Sequence, residues 1–222
     1  MAIDQAFVEL GKPFTDLLRS MYEGAPQIGA DRKPHPIDTQ TRISPEQGMW
    51  IYRLCRAAKP KDVLEVGLAF GFSTVYLLAA IRANGIGSHI AIDPFQTRSW
   101  AGIGTARARL LGMEDAFTVT EETSPAYLSR MHAEGRRFDL IFIDGNHRFD
   151  DVLVDFILSA QVLRPGGHML LDDTWMPSIK KVVSFIRSNR PDFVEVGPEC
   201  KKAIAFKKIG EDQRKWDHFV DF

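Results

Sequence analysis

Four aspartates each follow a short apolar segment of the chain, at positions Asp93, Asp144, Asp172 and Asp173. If these segments are parallel strands of one sheet, the carboxylates meet at one edge, where their mutual repulsion calls for cations. Asp144 and the Asp172-Asp173 pair follow two successive strands. Their oxygens suit Mg²⁺, Mn²⁺ or Ca²⁺ better than zinc, and no Cys/His cluster competes for the role. Together they predict a divalent-cation site, whereas each acid alone also fits a helix cap or a solvated loop.

Asp93 has a second chemistry open to it, because it ends the strand that follows a glycine-containing turn. It lies about twenty residues beyond Gly71, where an acid can accept hydrogen bonds from ribose hydroxyls. That position suits NAD as well as S-adenosylmethionine. The sequence therefore predicts a nucleoside site beside the cation site.

The turn itself lies in the stretch from Asp62 to Thr74. Its apolar start reads as a strand, Gly67 and Gly71 bracket a turn, and an apolar helix follows from Phe72 to Ala83. Free N–H groups at such a helix start lie at the rim of a sheet. The spacing is Glu-x-Gly-x-x-x-Gly-x-Ser and differs from the dinucleotide pattern G-x-G-x-x-G. An ordinary strand-to-helix turn is the alternative interpretation.

Alternating strands and helices must position these residues. Ser44 and Gln47 form a capping box at the start of a helix that runs to about Ala58, and a second clear helix covers residues 149–163. The strands expected after the glycine turn cover residues 89–93, 116–120, 138–144, 168–172, 193–196 and 202–207. The alternation predicts a doubly wound, mostly parallel α/β sheet, closed by an antiparallel pair.

Two flanking segments complete the predicted organisation. Residues 1–43 read as an N-terminal helix interrupted at Pro13, then a long loop at 24–43 that could be a lid or a surface wrap. Residues 44–210 form the main domain. The aromatic tail at 211–222 would dock on the body of the chain or on a partner subunit, so a homodimer is one expectation.

The composition indicates an ordinary soluble domain. Hydrophobic residues make up 45% of the 222, and the net charge of −1 does not favour nucleic acid or an anionic membrane as a partner. The N-terminus lacks a secretory pattern, no apolar run has the length of a membrane span, and the two cysteines are not in metal-binding spacing. We therefore expect a cytoplasmic protein with reduced thiols.

Several segments, taken in their order and spacing, resemble the class I S-adenosylmethionine-dependent methyltransferases. The similarity is greatest to the small cation-dependent O-methyltransferases of the catechol and natural-product type. The segments that carry it are residues 44–48, 64–74, 92–94, 138–147, 163–167 and 170–174. The resemblance implies a Rossmann-like sheet of seven strands with the last strand antiparallel. It also implies methyl transfer to a hydroxyl of a small molecule such as a phenolic diol, sugar or polyketide.

The resemblance also assigns residues to S-adenosylmethionine and to Mg²⁺ or another divalent cation. The expected cofactor neighbours are Glu65, Gly67 and Gly71 at the turn, Ser73 at the methionine part, Asp93 at the ribose, and Glu122, Thr123 and Ser124 beside the adenine, with Asp144 close to both ligands. The implied metal ligands are Asp144, Asp172 and Asp173. Catechol-type relatives carry Asp-Asn where this chain has Asp173-Thr174, and sugar-modifying relatives carry an Asp-Asp pair.

His147, three residues past Asp144, is the expected general base, because imidazole exchanges protons near neutral pH. A helix-start histidine bonded to backbone is the alternative interpretation of this residue. Two other functions also stay open at this point. One is a nicotinamide-dependent oxidoreductase, and the other is a nucleoside-binding module without turnover.

Overall fold

The structure, a computed structural model, describes residues 7–38 and 40–222. Nine strands are present in this part of the chain. They are β1 (Gln27–Ile28), β2 (Pro34–His35), β3 (Asp62–Val66), β4 (Ser88–Ile92), β5 (Phe117–Thr120), β6 (Phe138–Ile143), β7 (Leu163–Leu171), β8 (Phe193–Glu195) and β9 (Ile204–Lys208). β1 and β2 form a small hairpin, and the other seven strands form one sheet in the order β5-β4-β3-β6-β7-β9-β8.

Helices cover both faces of the larger sheet. They are α1 (Lys12–Tyr22), α2 (Pro45–Ala58), α3 (Phe72–Asn84), α4 (Gln96–Trp100), α5 (Ile103–Leu111), α6 (Ser124–Ala133), α7 (Phe149–Val162) and α8 (Pro177–Asn189), with short 3₁₀ turns at Val8–Leu10 and Glu114–Ala116. Among the described residues, no helix combines the length and apolar character needed to cross a membrane.

The strand directions match the prediction of a mixed seven-stranded sheet. β3 to β7 pair in parallel, whereas β9 runs antiparallel to both β7 and β8. β6 is apolar except at Asp139 because it is buried on both faces: Leu140 and Phe142 join one core cluster, and Ile141 and Ile143 join the other. Each such side chain contributes about 1.5–3 kcal/mol through burial, so β6 anchors both layers.

The register of the central strands aligns their carboxyl ends. Val66 pairs with Ile92 and with Ile143, and Ile143 pairs with Leu171. The residues that follow these four strand ends are Gly67, Asp93, Asp144 and Asp172. The fold therefore brings the glycine turn and the strand-end acids to one rim, which is called the acidic rim below.

The N-terminal segment departs from the prediction in two places. The break precedes Pro13: Gly11 has a φ of +84°, and α1 then begins at Lys12 with Pro13 in its first turn. Residues 24–43, predicted to be a loop without regular structure, contain the β1–β2 hairpin, so this prediction was wrong. The first six residues of the predicted N-terminal helix lie outside the described residues.

A buried arginine attaches the hairpin to the main domain. Arg107 of α5 is fully buried; its Nε donates to the Phe70 carbonyl at 2.9 Å, and its Nη1 donates to Gln27 Oε1 at 2.9 Å. Desolvation lowers the pKa of Arg107 to about 9. The Gln27 amide in turn donates to Ser20 Oγ and to the Ala25 carbonyl. This hydrogen-bond chain links α1, the hairpin and the glycine turn.

The C-terminal tail lies on its own chain. Lys181 Nζ donates to the Phe222 carbonyl at 2.7 Å, the Asn189 side chain bonds both the N–H and the carbonyl of Val220, and Phe222 packs edge-on against Phe185. Of the two placements expected for the tail, the structure shows docking on the body. Both cysteines are free thiols.

Replacing Gly67 tests how tightly the rim is packed. A Cβ at Gly67 would lie 2.0 Å from the Asp144 carbonyl oxygen, and its φ of +89° disfavours any residue with a side chain. We expect Gly67→Ala to lower the free energy of unfolding by about 3 kcal/mol, or the melting temperature by on the order of 10 °C. In the control Gly210→Ala, the added Cβ meets nothing within 4 Å, so its stability should stay near wild type. Equal melting temperatures for the two variants would contradict this packing.

Candidate functional site

Three side chains converge on the acidic rim. His147 Nε2 lies 2.8 Å from Asp173 Oδ2 and 3.7 Å from Asp144 Oδ1. One ligand atom from each residue lies within 4.8 Å of the other two. The short contact to Asp173 is an ion pair rather than a hydrogen bond, because Nε2 is not aligned with an acceptor. Two carboxylates and one imidazole are thus close enough to bind one cation.

Three local features position this cluster. Asp144 follows β6, and its N–H donates to the Val66 carbonyl at 2.8 Å. His147 lies in the turn before α7, and its carbonyl accepts a hydrogen bond from Ser178. Asp173 has a φ of +51°, a left-handed conformation that aspartate tolerates better than most residues with a side chain. Its Oδ1 accepts from Trp175 Nε1 at 2.7 Å, which leaves Oδ2 facing His147.

The charges in the cluster shift one another's pKa values. Burial raises the pKa of Asp144 to about 6, although 23% of its side-chain surface is still exposed. Contact with Asp144 and then with Asp173 raises the pKa of His147 to about 10, and contact with His147 lowers the pKa of Asp173. In this arrangement the imidazole is a cation at neutral pH. The site therefore holds one positive charge among several acids.

Asp172 lies beside the cluster but contacts a different residue. It is 4% exposed, and its Oδ1 accepts from Gln47 Nε2 at 2.6 Å. Burial, and after it repulsion by Asp144, raises the pKa of Asp172 well above its ordinary value. The structure thus brings together two of the three predicted metal ligands and adds His147, while Asp172 is bonded to the start of α2.

The glycine turn is held by Asp93. Asp93 Oδ2 accepts from the Ala69 N–H at 2.8 Å and the Leu68 N–H at 3.2 Å, and also from Gln96 Nε2. Oδ1 accepts from the Phe95 N–H at 2.8 Å. Asp93 therefore fixes the turn through its backbone, and the remaining lone pair of Oδ1 is free for another donor such as a ribose hydroxyl.

Two of the expected cofactor residues are buried beneath the turn. Glu65 is fully buried and accepts from the hydroxyls of Ser73 and Thr74, with His89 Nε2 at 3.1 Å. Ser73 is 5% exposed, and its hydroxyl is bonded to Glu65. These two side chains thus bond each other and attach α3 to the sheet, whereas Gly67 and Gly71 form the turn above them.

The residues expected beside the adenine lie at the start of α6. Glu122 is paired with Arg130 at 2.7 Å, and Thr123 is exposed. Ser124 is half-buried and donates from Oγ to Asp155 Oδ1 at 2.5 Å. The helix start therefore presents one hydroxyl that is bonded to a buried acid.

Three polar residues at the rim were not among those predicted from sequence: Gln47, Gln96 and Asp155. The signal for Asp155 was available, because an acid on the apolar face of a helix requires a partner. The capping box predicted the contact of Gln47 with Ser44, which the structure confirms, but not its second bond across the fold to Asp172. No pattern in the sequence indicates a comparable role for Gln96.

The sequence of this chain is similar to known methyltransferase sequences. A family model described as a methyltransferase domain matches residues 64–174, half of the chain. A protein provisionally named an O-methyltransferase, from Mycobacterium sp. (strain JLS), is 29% identical over 135 residues, which are 58% of this chain and 56% of that protein. Catechol O-methyltransferase B of Danio rerio is 27% identical over 67% of this chain and 55% of its own length. The chain thus aligns with little more than half the length of these curated relatives.

Solved structures share the fold at lower identity. The O-methyltransferase from Bacillus cereus, solved with SAH, superposes with a TM-score of 0.69 at 18% identity, over 94% of this chain and 98% of that one. The O-methyltransferase TomG from Streptomyces achromogenes, solved with SAM, gives 0.69 at 17% identity, over 90% and 91%. The seven-stranded sheet with its antiparallel last strand is therefore the Rossmann-like methyltransferase fold. The chain belongs to the methyltransferase-domain family whose model it matches.

Changing Gln47 separates its two bonds. In the wild-type protein, Gln47 Nε2 lies 2.6 Å from Asp172 Oδ1. Gln47→Glu keeps an oxygen that can accept from the Ser44 N–H, but it replaces this nitrogen by a carboxylate oxygen that faces Asp172. We expect a loss of about 2–4 kcal/mol in the free energy of unfolding at pH 8, because two buried acids would then face each other. Ser44→Ala, which removes only the cap, should cost about 1 kcal/mol. The two losses would be measured by urea denaturation, and a Gln47→Glu variant as stable as Ser44→Ala would contradict this role of Asp172.

Asp155 should make the stability depend on pH. Burial raises its pKa from 3.8 to about 6, so the fold favours the protonated carboxyl. The contribution of Asp155 to the free energy of unfolding should therefore fall as the pH rises from about 4 to about 6, by on the order of 3 kcal/mol. The amide in Asp155→Asn cannot ionise, so the stability of this variant relative to wild type should rise between about pH 4 and about pH 6. Denaturation at pH 4, 5, 6 and 7 measures the difference, and a difference that does not change with pH would contradict the raised pKa.

Proposed function

We propose that this protein is an S-adenosylmethionine-dependent O-methyltransferase that uses a divalent cation to methylate a hydroxyl of a small molecule. The supporting observation is the shared position of two features on the acidic rim. The turn at Gly67 packs on the Asp144 backbone, and the Asp144 side chain belongs to the Asp144-His147-Asp173 cluster. A nucleoside beside the turn and a cation in the cluster would therefore be neighbours.

The glycine turn fits the nucleoside cofactor. Gly67 and Gly71, with φ values of +89° and +77°, adopt the left-handed conformation that favours glycine, and they place the turn on the acidic rim. Asp93 would hold the ribose through Oδ1, while the start of α6 would lie beside the adenine. When bound, S-adenosylmethionine supplies a methyl group on a sulfonium. The buried Glu65 and Ser73 would support this site from below.

The donor atoms of the cluster fit a divalent cation such as Mg²⁺. Asp144 Oδ1 and Asp173 Oδ2 would be its ligands, and a bound cation would favour the ionised form of buried Asp172, whose pKa is otherwise raised. A bound cation supplies Lewis acidity, which orients neighbouring oxygens and lowers the pKa of a hydroxyl. Asp172 is bonded to Gln47 through Oδ1 and lies outside the cluster, so it would become a ligand only if its carboxylate moved toward Asp144 and Asp173.

His147 would accept the proton of the acceptor hydroxyl as a general base. In the structure it is paired with two carboxylates, and its pKa of about 10 keeps it protonated at neutral pH. A base must be unprotonated, so this role requires the charges of Asp144 and Asp173 to be offset by a cation. We infer that His147 is a base only in the cation-bound protein.

The surroundings of Asp173 favour a planar acceptor. Trp175 is bonded to Asp173 through its indole N–H, yet 54% of the residue is exposed. A flat aromatic face beside the cation cluster suits a phenolic diol, the kind of acceptor named in the catechol O-methyltransferase relative. Sugar and polyketide hydroxyls are the other acceptors that an assay should include.

The decisive experiment pairs cofactor binding with methyl release. Wild-type protein should bind S-adenosylhomocysteine in calorimetry and should release it as product with catechol and Mg²⁺, and EDTA should abolish that turnover. Asp144→Ala should lose turnover by about 100-fold or more, because the cation loses a ligand, with cofactor affinity changed by less than about threefold.

Asp150→Ala is the matched control, since Asp150 is an exposed acid on α7 and should retain activity. Turnover that survives excess EDTA would contradict the cation requirement but not methyl transfer. Binding of NADH in place of S-adenosylhomocysteine would contradict the proposed function. Cofactor binding without methyl release on a panel of diols and sugars would indicate a binding module.

A further inference from the structure

Arg107 is a buried cation without an acidic partner. It is fully buried on α5, and its guanidinium donates to the Phe70 carbonyl and to Gln27 Oε1, each at 2.9 Å. Among the described residues, its Nη2 has no hydrogen-bond partner, and no carboxylate forms an ion pair with the guanidinium. A buried charge in this state is costly, and an apolar side chain of similar size would fill the space at less cost. Arg107 therefore calls for a role beyond filling the core.

The bond to Phe70 fixes one peptide unit of the glycine turn. A peptide unit is planar, so the direction of the Phe70 carbonyl also sets the direction of the Gly71 N–H, which donates to the Leu68 carbonyl at 2.7 Å. Gly71 is the N-cap residue of α3. Arg107 thus fixes the peptide at which the turn ends and α3 begins.

The helix that carries Arg107 also contacts the turn by close packing. A Cβ on Gly71 would lie 3.0 Å from Arg107 Cγ. A Cβ on Gly104 would lie 2.6 Å from Leu68 Cγ and 2.8 Å from the Ala69 carbonyl oxygen. Gly104 and Arg107 are three residues apart and so share one face of α5. The turn therefore rests on this face, and Arg107 adds a directed hydrogen bond to the packing.

Gln27 determines how the guanidinium is oriented. Its Oε1 accepts from Arg107 Nη1, while its amide nitrogen donates to Ser20 Oγ and to the Ala25 carbonyl, both at 2.9 Å. Gln27 is buried at the start of the β1–β2 hairpin. Because a guanidinium is planar, acceptors at two of its nitrogens fix its rotation. Gln27 therefore orients the donor that holds the turn.

We propose that Arg107 is a positioning residue for cofactor binding: oriented by Gln27, it holds the Phe70 carbonyl and so keeps the glycine turn in the shape that binds S-adenosylmethionine. The inference rests on the proposed function, which puts the cofactor at this turn. Arg107 acts through the backbone of the turn and is not part of the Asp144-His147-Asp173 cluster. Loss of its bond should therefore weaken cofactor binding and leave the methyl-transfer step unchanged.

Calorimetry with S-adenosylhomocysteine on wild type and Arg107→Met tests this. The variant should bind at least about tenfold more weakly, because the turn loses its directed hydrogen bond. In assays with catechol and Mg²⁺, its KM for S-adenosylmethionine should rise by a similar factor, while kcat at saturating cofactor stays within about threefold of wild type. Purely structural damage would instead lower the folded fraction, and with it the binding stoichiometry and kcat, at unchanged affinity.

Arg109→Met is the matched control. Arg109 lies on the same helix and donates to the Gly29 carbonyl, in the loop between β1 and β2, rather than to the turn. Its replacement should leave the affinity for S-adenosylhomocysteine within about twofold of wild type. An equal loss of affinity in Arg109→Met and Arg107→Met would overturn the specific role of Arg107.

Gln27→Leu gives a second reading, and it decides the matter if Arg107→Met does not fold. It keeps Arg107 but removes the acceptor that orients it, so binding should weaken by about threefold or more. Where both variants fold, the double variant should bind no more weakly than Arg107→Met, because both residues act through one carbonyl.

Wild-type affinity in a folded Arg107→Met or Gln27→Leu variant would overturn the proposal. So would a kcat at saturating cofactor that falls as far as the affinity does. If wild type does not bind S-adenosylhomocysteine, the proposed function fails and this inference fails with it. Binding to wild type that the variants leave unchanged overturns only this inference.

Discussion

The structure depends on the crowding of carboxyl groups at one rim of the sheet. Strand register places Asp93, Asp144 and Asp172 after three aligned strand ends, and the left-handed conformation of Asp173 turns a fourth acid toward His147. Water reaches this rim only in part, so the charges are not screened as they would be on an open surface. A rim of this kind is stable if its charges are hydrogen-bonded, protonated or paired with cations.

Each acid at the rim resolves this constraint differently. Asp93 accepts hydrogen bonds from two N–H groups of the glycine turn and from the Phe95 N–H, so its charge is used to hold backbone in place. Asp172 is bonded to Gln47 and has a raised pKa, whereas Asp173 is paired with His147 and has a lowered one. Asp144 shares a feature with each of them, because its pKa is raised by burial and its side chain lies near His147. This unequal distribution leaves Asp144 and Asp173 as the pair that a divalent cation would stabilise most.

Much of the architecture was predictable because local signals agreed with the fold. The apolar runs of β3, β6 and β7 and the capping box at Ser44 predicted elements of the mixed sheet and its helices that the structure confirms. The position of the acids followed from strand ends alone. The direction in which each acid points did not, because it depends on long-range partners such as Gln47 for Asp172 and Trp175 for Asp173. The β1–β2 hairpin was missed for a similar reason, since its anchor is the buried Arg107, eighty residues from Gln27.

Anomalous scattering from a crystal grown with S-adenosylhomocysteine and Mn²⁺ tests the central claim most directly. We expect one manganese peak in bonding distance of Asp144 and Asp173 oxygens, with His147 released from its ion pair and the nucleoside lying along the turn at Gly67. A nucleoside bound at the turn with no manganese peak at these two carboxylates, or a peak on another face of the sheet, would contradict the account of the acidic rim.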